Sequence, residues 1–88
     1  MQERKVQVLN RLGLHARPAA MLVSTATKFS SEILALKDSI EVNCKSIMGV
    51  MMLAAEKGSW LTLRAVGEDE NQAIETLSKL FVERFGEQ

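Results

Sequence analysis

Apolar side chains recur along this chain with two periods, and the changes between them mark out its elements. Lys5 to Asn10 alternates, with Val6, Val8 and Leu9 set around polar Gln7 and Asn10, and predicts a strand. Residues 17–29 then carry Ala19, Leu22, Val23, Ala26 and Phe29 at three- and four-residue spacing, the core stripe of a helix. Its other face holds Ala20, Ser24 and Thr27, small enough for a partner to approach closely. Glu32 to Lys37 and Ile40 to Asn43 predict two further strands joined at Asp38-Ser39, with Ile40 and Val42 on one face. Ser46 is placed as the N-cap of a short helix over Ile47 to Ala55, with Lys57-Gly58 ending it. Trp60 to Val66 alternates again, and Gly67 breaks it. Asp69 and Gln72 have the form of a capping box ahead of a helix from about Glu70 to Phe85. Ile74, Leu77, Leu80, Phe81 and Phe85 make that helix strongly amphipathic, and Gly86 lies just past its end.

The order βαββαβα predicts an α+β fold. Its form is a two-layer open-faced sandwich, a mostly antiparallel four-stranded sheet with three helices on one face. The 88 residues, 47% of them apolar, suffice for one core, so residues 1–88 are expected to form a single domain. No apolar run approaches the ~20 residues of a membrane span, and the N-terminus leads into a strand rather than a signal-peptide core. Net charge is zero without a basic stripe, which argues against nucleic acid as a partner. One His and one Cys are too few for a conventional zinc site unless carboxylates join them, so no metal or cofactor is expected. The lone Cys44 forms no internal disulfide and reads as a small buried hydrophobe, and a cytoplasmic protein is the simplest fit. Trp60 reads as a packing residue.

The chemistry concentrates at Gly13-Leu14-His15-Ala16-Arg17-Pro18-Ala19-Ala20. His15, the only histidine, falls where strand gives way to helix. Pro18 suits the first turn, since its missing N–H has no intrahelical partner there in any case. Free amides and the helix dipole favour an anion beside His15, and Arg17 adds a cation. A nucleophilic imidazole so placed is equipped to accept a phosphoryl group. Composition alone serves a solvated loop histidine equally well. Arg17 sits where the dipole disfavours a cation, a placement that an arriving anion would offset. Ile47, Met48, Met51 and Met52 crowd a short helix whose inner face Val50, Leu53 and Ala54 also claim. Ile47, Met48 and Met51 are therefore expected to form an exposed patch beside His15, suited to several unlike partners.

Three segments together resemble the histidine-containing phosphocarrier (HPr) family of the bacterial phosphoenolpyruvate–sugar phosphotransferase system. They are the His15 motif, Lys45-Ser46-Ile47-Met48-Gly49-Val50-Met51, and Gly67-Glu68-Asp69-Glu70 with its following helix. The resemblance covers essentially the whole chain. It implies a monomeric, non-enzymatic carrier in which His15, through its δ1 nitrogen, takes a phosphoryl group from phospho-Enzyme I. The group then passes to a IIA-type acceptor. The amides of Ala16 and Arg17 are placed to hold the phosphoryl oxygens and Arg17 to offset their charge. Ser46 becomes a regulatory phosphorylation site, with an HPr kinase/phosphorylase and a transcription regulator as further partners, although N-cap duty alone accounts for a serine. Ala20, Ser24, Thr27, Ile47, Met48 and Met51 become the docking surface. Two alternatives remain: a nitrogen-related branch feeding a regulatory IIA protein, and a regulatory binding module acting through Ser46.

Overall fold

A computed structural model describes residues 1–88. Strands β1 (Gln2–Gln7), β2 (Glu32–Lys37), β3 (Ile40–Asn43) and β4 (Trp60–Val66) alternate with helices α1 (Ala16–Ala26), α2 (Ile47–Met52) and α3 (Glu70–Val82). A 3-10 turn, Arg84–Gly86, follows α3. The sheet order is β1-β4-β2-β3 and every neighbouring pair is antiparallel. The expected architecture is thus present, with an entirely antiparallel sheet.

Register decides which side of each strand is dry. Val6 lies opposite Leu61, and Ala35 opposite both Leu63 and Val42. These residues belong to one cluster of 21 buried apolar side chains, closed by Leu22 and Ala26 of α1, Val50 of α2 and Leu77 of α3. The intervening residues, among them Thr62 and Arg64, face the uncovered side, where Arg64 pairs with Glu3. Trp60 falls in that second set, opposite Gln7, and is 57% exposed. Its expected packing role is therefore corrected: strand parity puts it away from the helices. Cys44 is fully buried, and burial pushes its thiol up to about 12, in keeping with a small hydrophobe.

Several boundaries differ from the periodicity. β1 begins at Gln2 and ends at Gln7, although Val8 still bonds through its N–H to Ser59 O at 2.9 Å. Helix α1 ends at Ala26, because Lys28 and Phe29 donate three residues back, to Thr25 and Ala26, in tight turns. Those turns keep Phe29 over the core, so the apolar spacing outlasts the helix. Val23 is likewise only half-buried. Helix α2 stops at Met52 instead of Ala55, since Ala54 is left-handed (φ 47°) and faces solvent rather than the core. Gly58 therefore caps no helix; its N–H closes on Val8 O at 2.7 Å ahead of β4. Helix α3 ends at Val82 because Arg84 and Phe85 are left-handed, at φ 56° and 52°. Leu80 is only partly buried, while Phe81 and Phe85 meet edge to face at 4.9 Å between centroids. No helix is long and apolar enough to cross a membrane.

The expected Asp69–Gln72 capping box is absent. Asp69 makes no side-chain cap bond; its carboxylate instead accepts from Ser30 N, Ser31 N and Ser31 Oγ, tying the start of α3 to the loop before β2. Glu70 serves the helix start, accepting from Gly67 N at 3.1 Å. The Ser31 hydroxyl and then the Ser30 amide hold the Asp69 carboxyl at about 2, below its ordinary 3.8. A lowered native value means that this contribution to stability is complete above the ordinary value and fades as pH falls toward about 2. Asp69→Asn is accordingly expected to lower Tm by several degrees at neutral pH. In parallel melts the gap to wild type should narrow between pH 3.8 and about 2; a gap independent of pH would rule out the carboxylate as its source.

Candidate functional site

The segment from Asn10 to His15 leaves β1 and folds back to start α1. Gly13 donates to Asn10 O at 3.1 Å, and buried Leu14 donates to Ala55 O at 2.9 Å, which fastens the loop to the segment after α2. Gly13 is left-handed at φ 72°, and a Cβ there would run into the Ala55 carbonyl oxygen. The loop thus delivers His15 to the N-cap position in extended backbone, at φ −73° and ψ −175°. His15 O accepts from Ala19 N at 3.0 Å, the first bond of α1.

The orphan donors of this helix end can be counted. Pro18, the third helical residue, has no N–H, and Ala19 N is already paired. The amides of Ala16 and Arg17 bond to no protein acceptor, and His15 makes no side-chain cap. Two adjacent donors therefore open beside the imidazole, on the positive end of the dipole. These are the two amides expected from the sequence, although Pro18 lies deeper in the first turn than the favoured first position.

The imidazole is 35% exposed. Its Nε2 lies 3.0 Å from both Oε1 and Oε2 of Glu87, while Nδ1 makes no hydrogen bond within the protein. Arg17 Nη1 donates to Glu87 Oε2 at 3.1 Å and to Phe85 O at 3.2 Å. Asn10 Nδ2 donates to Glu87 Oε1 at 3.0 Å and to Gly13 O at 2.6 Å. The hydrogen bond from His15, with lesser ones from Asn10 and Arg17, holds the Glu87 carboxyl below its usual range. Glu87 and Asn10 escape sequence reasoning. Glu87 stands beyond the last periodic element, and nothing local signals a contact with a residue so far up the chain.

Ser46 caps α2 as expected, with Oγ accepting from Gly49 N at 3.1 Å. Val50 points inward, whereas Ile47, Met51 and Met52 are exposed and Met48 is 78% exposed. Helix α1 packs on α2. Ala20 and Ser24 are exposed on α1 and Thr27 at its C-cap, with Thr27 Oγ1 bonded to Ser24 O at 2.9 Å. Leu12, exposed in the loop before His15, is a further apolar side chain that the spacing does not reveal. A depression of about 230 Å³ beside the site is lined by Arg11, Leu12, Glu87 and Gln88. No three of the His, Cys, Asp and Glu side chains converge as metal ligands would.

Gly13→Ala tests the loop geometry. Left-handed strain and collision with Ala55 O are expected to cost about 1–3 kcal/mol, read as a fall in Tm. An unchanged Tm would show that the loop is not held in this way.

A sequence model described as the PTS HPr component phosphorylation site matches residues 2–83. The chain is 49% identical over 88 residues to the phosphocarrier protein HPr of Treponema pallidum (strain Nichols), covering 100% of both chains. It is similar in structure to HPr-C-His from Thermoanaerobacter tengcongensis, with a TM-score of 0.96, 49% identity and coverage of 100% and 99% of the two chains. It also matches an HPr dimer from that organism, at a TM-score of 0.80, 49% identity and coverage of 99% and 100%.

Proposed function

Because the chain belongs to the HPr family, the phosphocarriers of the phosphotransferase system, we propose that His15 is the residue on which it carries the phosphoryl group. One observation supports this above the others: His15 stands at the N-terminus of α1 with Nε2 engaged by Glu87, and Nδ1 free beside two unpaired amides. The Nδ1 lone pair forms the bond to phosphorus as the bond to the donor breaks. The amides of Ala16 and Arg17 then receive phosphoryl oxygens. The Arg17 guanidinium, 58% exposed, turns from Glu87 toward the new dianion. These contacts are few, which suits a phosphoramidate that must be passed on.

In this reading the donor is phospho-Enzyme I and the acceptor a IIA-type protein of the same system. Both dock on Ile47, Met48 and Met51 with Ala20 and Ser24 of α1 and Thr27 at its C-cap. The flexible apolar side chains of the two methionines accommodate unlike partners. The chain is a carrier rather than an independent catalyst, and one copy suffices, since Asn10, His15, Arg17 and Glu87 all belong to one chain. With Enzyme I and labelled phosphoenolpyruvate, acid-labile label is expected on wild type and none on His15→Ala. Arg17→Ala is expected to keep its Tm within a few degrees and to take label at least ~10-fold more slowly, or ~1.4 kcal/mol of barrier. Label on His15→Ala, or equal rates with Arg17→Ala, would refute these roles.

Ser46 is assigned as a regulatory site where a kinase of the HPr kinase/phosphorylase type is present, with a transcription regulator as the reader of the modified form. Its hydroxyl already meets the Gly49 amide at the opening of α2, where added negative charge is favourable to the fold. The same charge borders Ile47 and Met48 and repels a partner that is acidic around its own phosphoryl site. Ser46→Asp is therefore expected to hold or raise Tm, by ~0.3–1 kcal/mol of stability, and to slow Enzyme I-dependent labelling. Unchanged labelling would leave Ser46 as a helix cap alone.

A further inference from the structure

The chain carries one cysteine and five methionines, and the fold treats the two kinds of sulfur in opposite ways. Cys44 is fully buried and its thiol is pushed up to about 12, so almost no thiolate is offered to an oxidant. A thioether needs no ionisation to react, only access. Three of the five methionines, Met48, Met51 and Met52, fall on the six residues of α2. They stand at i, i+3 and i+4 and so share one face of the helix. Met48 is 78% exposed, Met52 68% and Met51 42%. Of the other two, Met21 is packed partly against the core, and Met1 lies across the molecule, where its ammonium pairs with Glu70 at 2.9 Å.

An oxygen added to these three sulfurs enters no core. Val50 is the only buried residue of α2, so water can solvate each sulfoxide in the folded chain. The change is felt at the surface instead. A sulfoxide is polar and a strong acceptor, where the thioether was apolar. Pressed into an apolar interface without a donor, it carries a desolvation cost. Met48 and Met51 stand beside Ile47 on the proposed docking face, and the loop that carries His15 is fastened to Ala55 just past this helix. The imidazole and the amides of Ala16 and Arg17 belong to other segments and keep their arrangement.

From this distribution we infer that Met48, Met51 and Met52 form a reversible oxidation site: hydrogen peroxide converts their thioethers to sulfoxides, which weakens docking of phosphoryl donor and acceptor and leaves His15 competent. The inference rests on the carrier reading above and adds regulation to the same surface. A sulfur lone pair attacks one peroxide oxygen, the S–O bond forms and the O–O bond breaks. The departing hydroxide takes up the proton left on the transferred oxygen and leaves as water. Sulfur gives up two electrons and the peroxide gains them. The return step is a reduction by two thiols, which become a disulfide as the oxygen leaves as water, the chemistry of methionine sulfoxide reductases.

The test uses the full chain, as wild type and with Met48→Leu, Met51→Leu and Met52→Leu combined, treated with hydrogen peroxide and freed of it before Enzyme I is added. Peptide masses map the added oxygens, and melts report the fold. Titration calorimetry with Enzyme I reports docking, and label uptake from phosphoenolpyruvate at saturating carrier reports transfer. Wild type is expected to gain oxygen at Met48, Met51 and Met52 before Met21, and to keep its Tm within a few degrees. Its Kd for Enzyme I should rise at least about tenfold, with uptake at saturation nearly unchanged. Methionine sulfoxide reductase should remove the oxygens and restore the Kd. The triple-leucine chain, compared with its own untreated sample, should show no rise in Kd. Oxidised wild type that docks as before would overturn the inference. So would a collapse of Tm, an equal loss in the triple-leucine chain, or oxygens that gather at Met21 first. An untreated wild type that takes no label would refute the carrier reading instead, and the Kd with and without oxygen would still decide whether this face is the oxidation site.

Discussion

The seating of α3 across β1 and β4 brings the C-terminal tail to the segment that follows β1, and the site depends on that placement. Ile74, Leu77 and Phe81 bury one stripe of the helix, and Phe85 extends the same contact past the helix end. Burial of such side chains is worth roughly 1.5–3 kcal/mol each, far more than any single polar contact at the surface. Apolar packing therefore sets the position of the tail, and the left-handed turn at Arg84–Phe85 aims it. Only then does Glu87 reach Asn10, His15 and Arg17.

Charge at this site is arranged against local preference. A helix N-terminus disfavours a cation, yet Arg17 stands in the first turn of α1. Glu87 supplies the anion that makes this tolerable in the resting carrier. In the proposed loaded state a phosphoryl group on His15 would present a second anion to Arg17 and to the two free amides. Of these donors Glu87 engages only the Arg17 guanidinium, and the amides of Ala16 and Arg17 stay unpaired.

The exposed apolar face of α2 has a simpler origin. Helix α2 is one and a half turns long, and only Val50 of its six residues is buried. The geometry of so short a helix leaves Ile47, Met48, Met51 and Met52 no interior to enter. The loop from Asn10 to Leu14 is tied to the backbone at Ala55, just beyond α2, so this apolar surface and the imidazole share one substructure.

Periods of two and about three and a half were enough to read the order of elements, the sheet-and-helix layering and most of the core, because each records which face of an element stays dry. The His15 motif, the two amides beside it, the Ser46 cap and the exposed methionines were legible for the same reason, since all are consequences of local spacing. What sequence could not reveal lay in contacts between distant segments. The spacing through Phe29 outlasts α1 because tight turns preserve it. Trp60 looks like a packing residue until strand register shows its face. Asp69 has a local partner to cap and takes Ser30 and Ser31 instead. Asn10 and Glu87 carry no motif at all; they become site residues only when the packing of α3 brings the tail to the histidine. Local backbone preference and side-chain period are properties of neighbouring residues, whereas the hydrogen-bond partner of a buried or returning group is decided by whatever the closed core leaves within 3 Å of it.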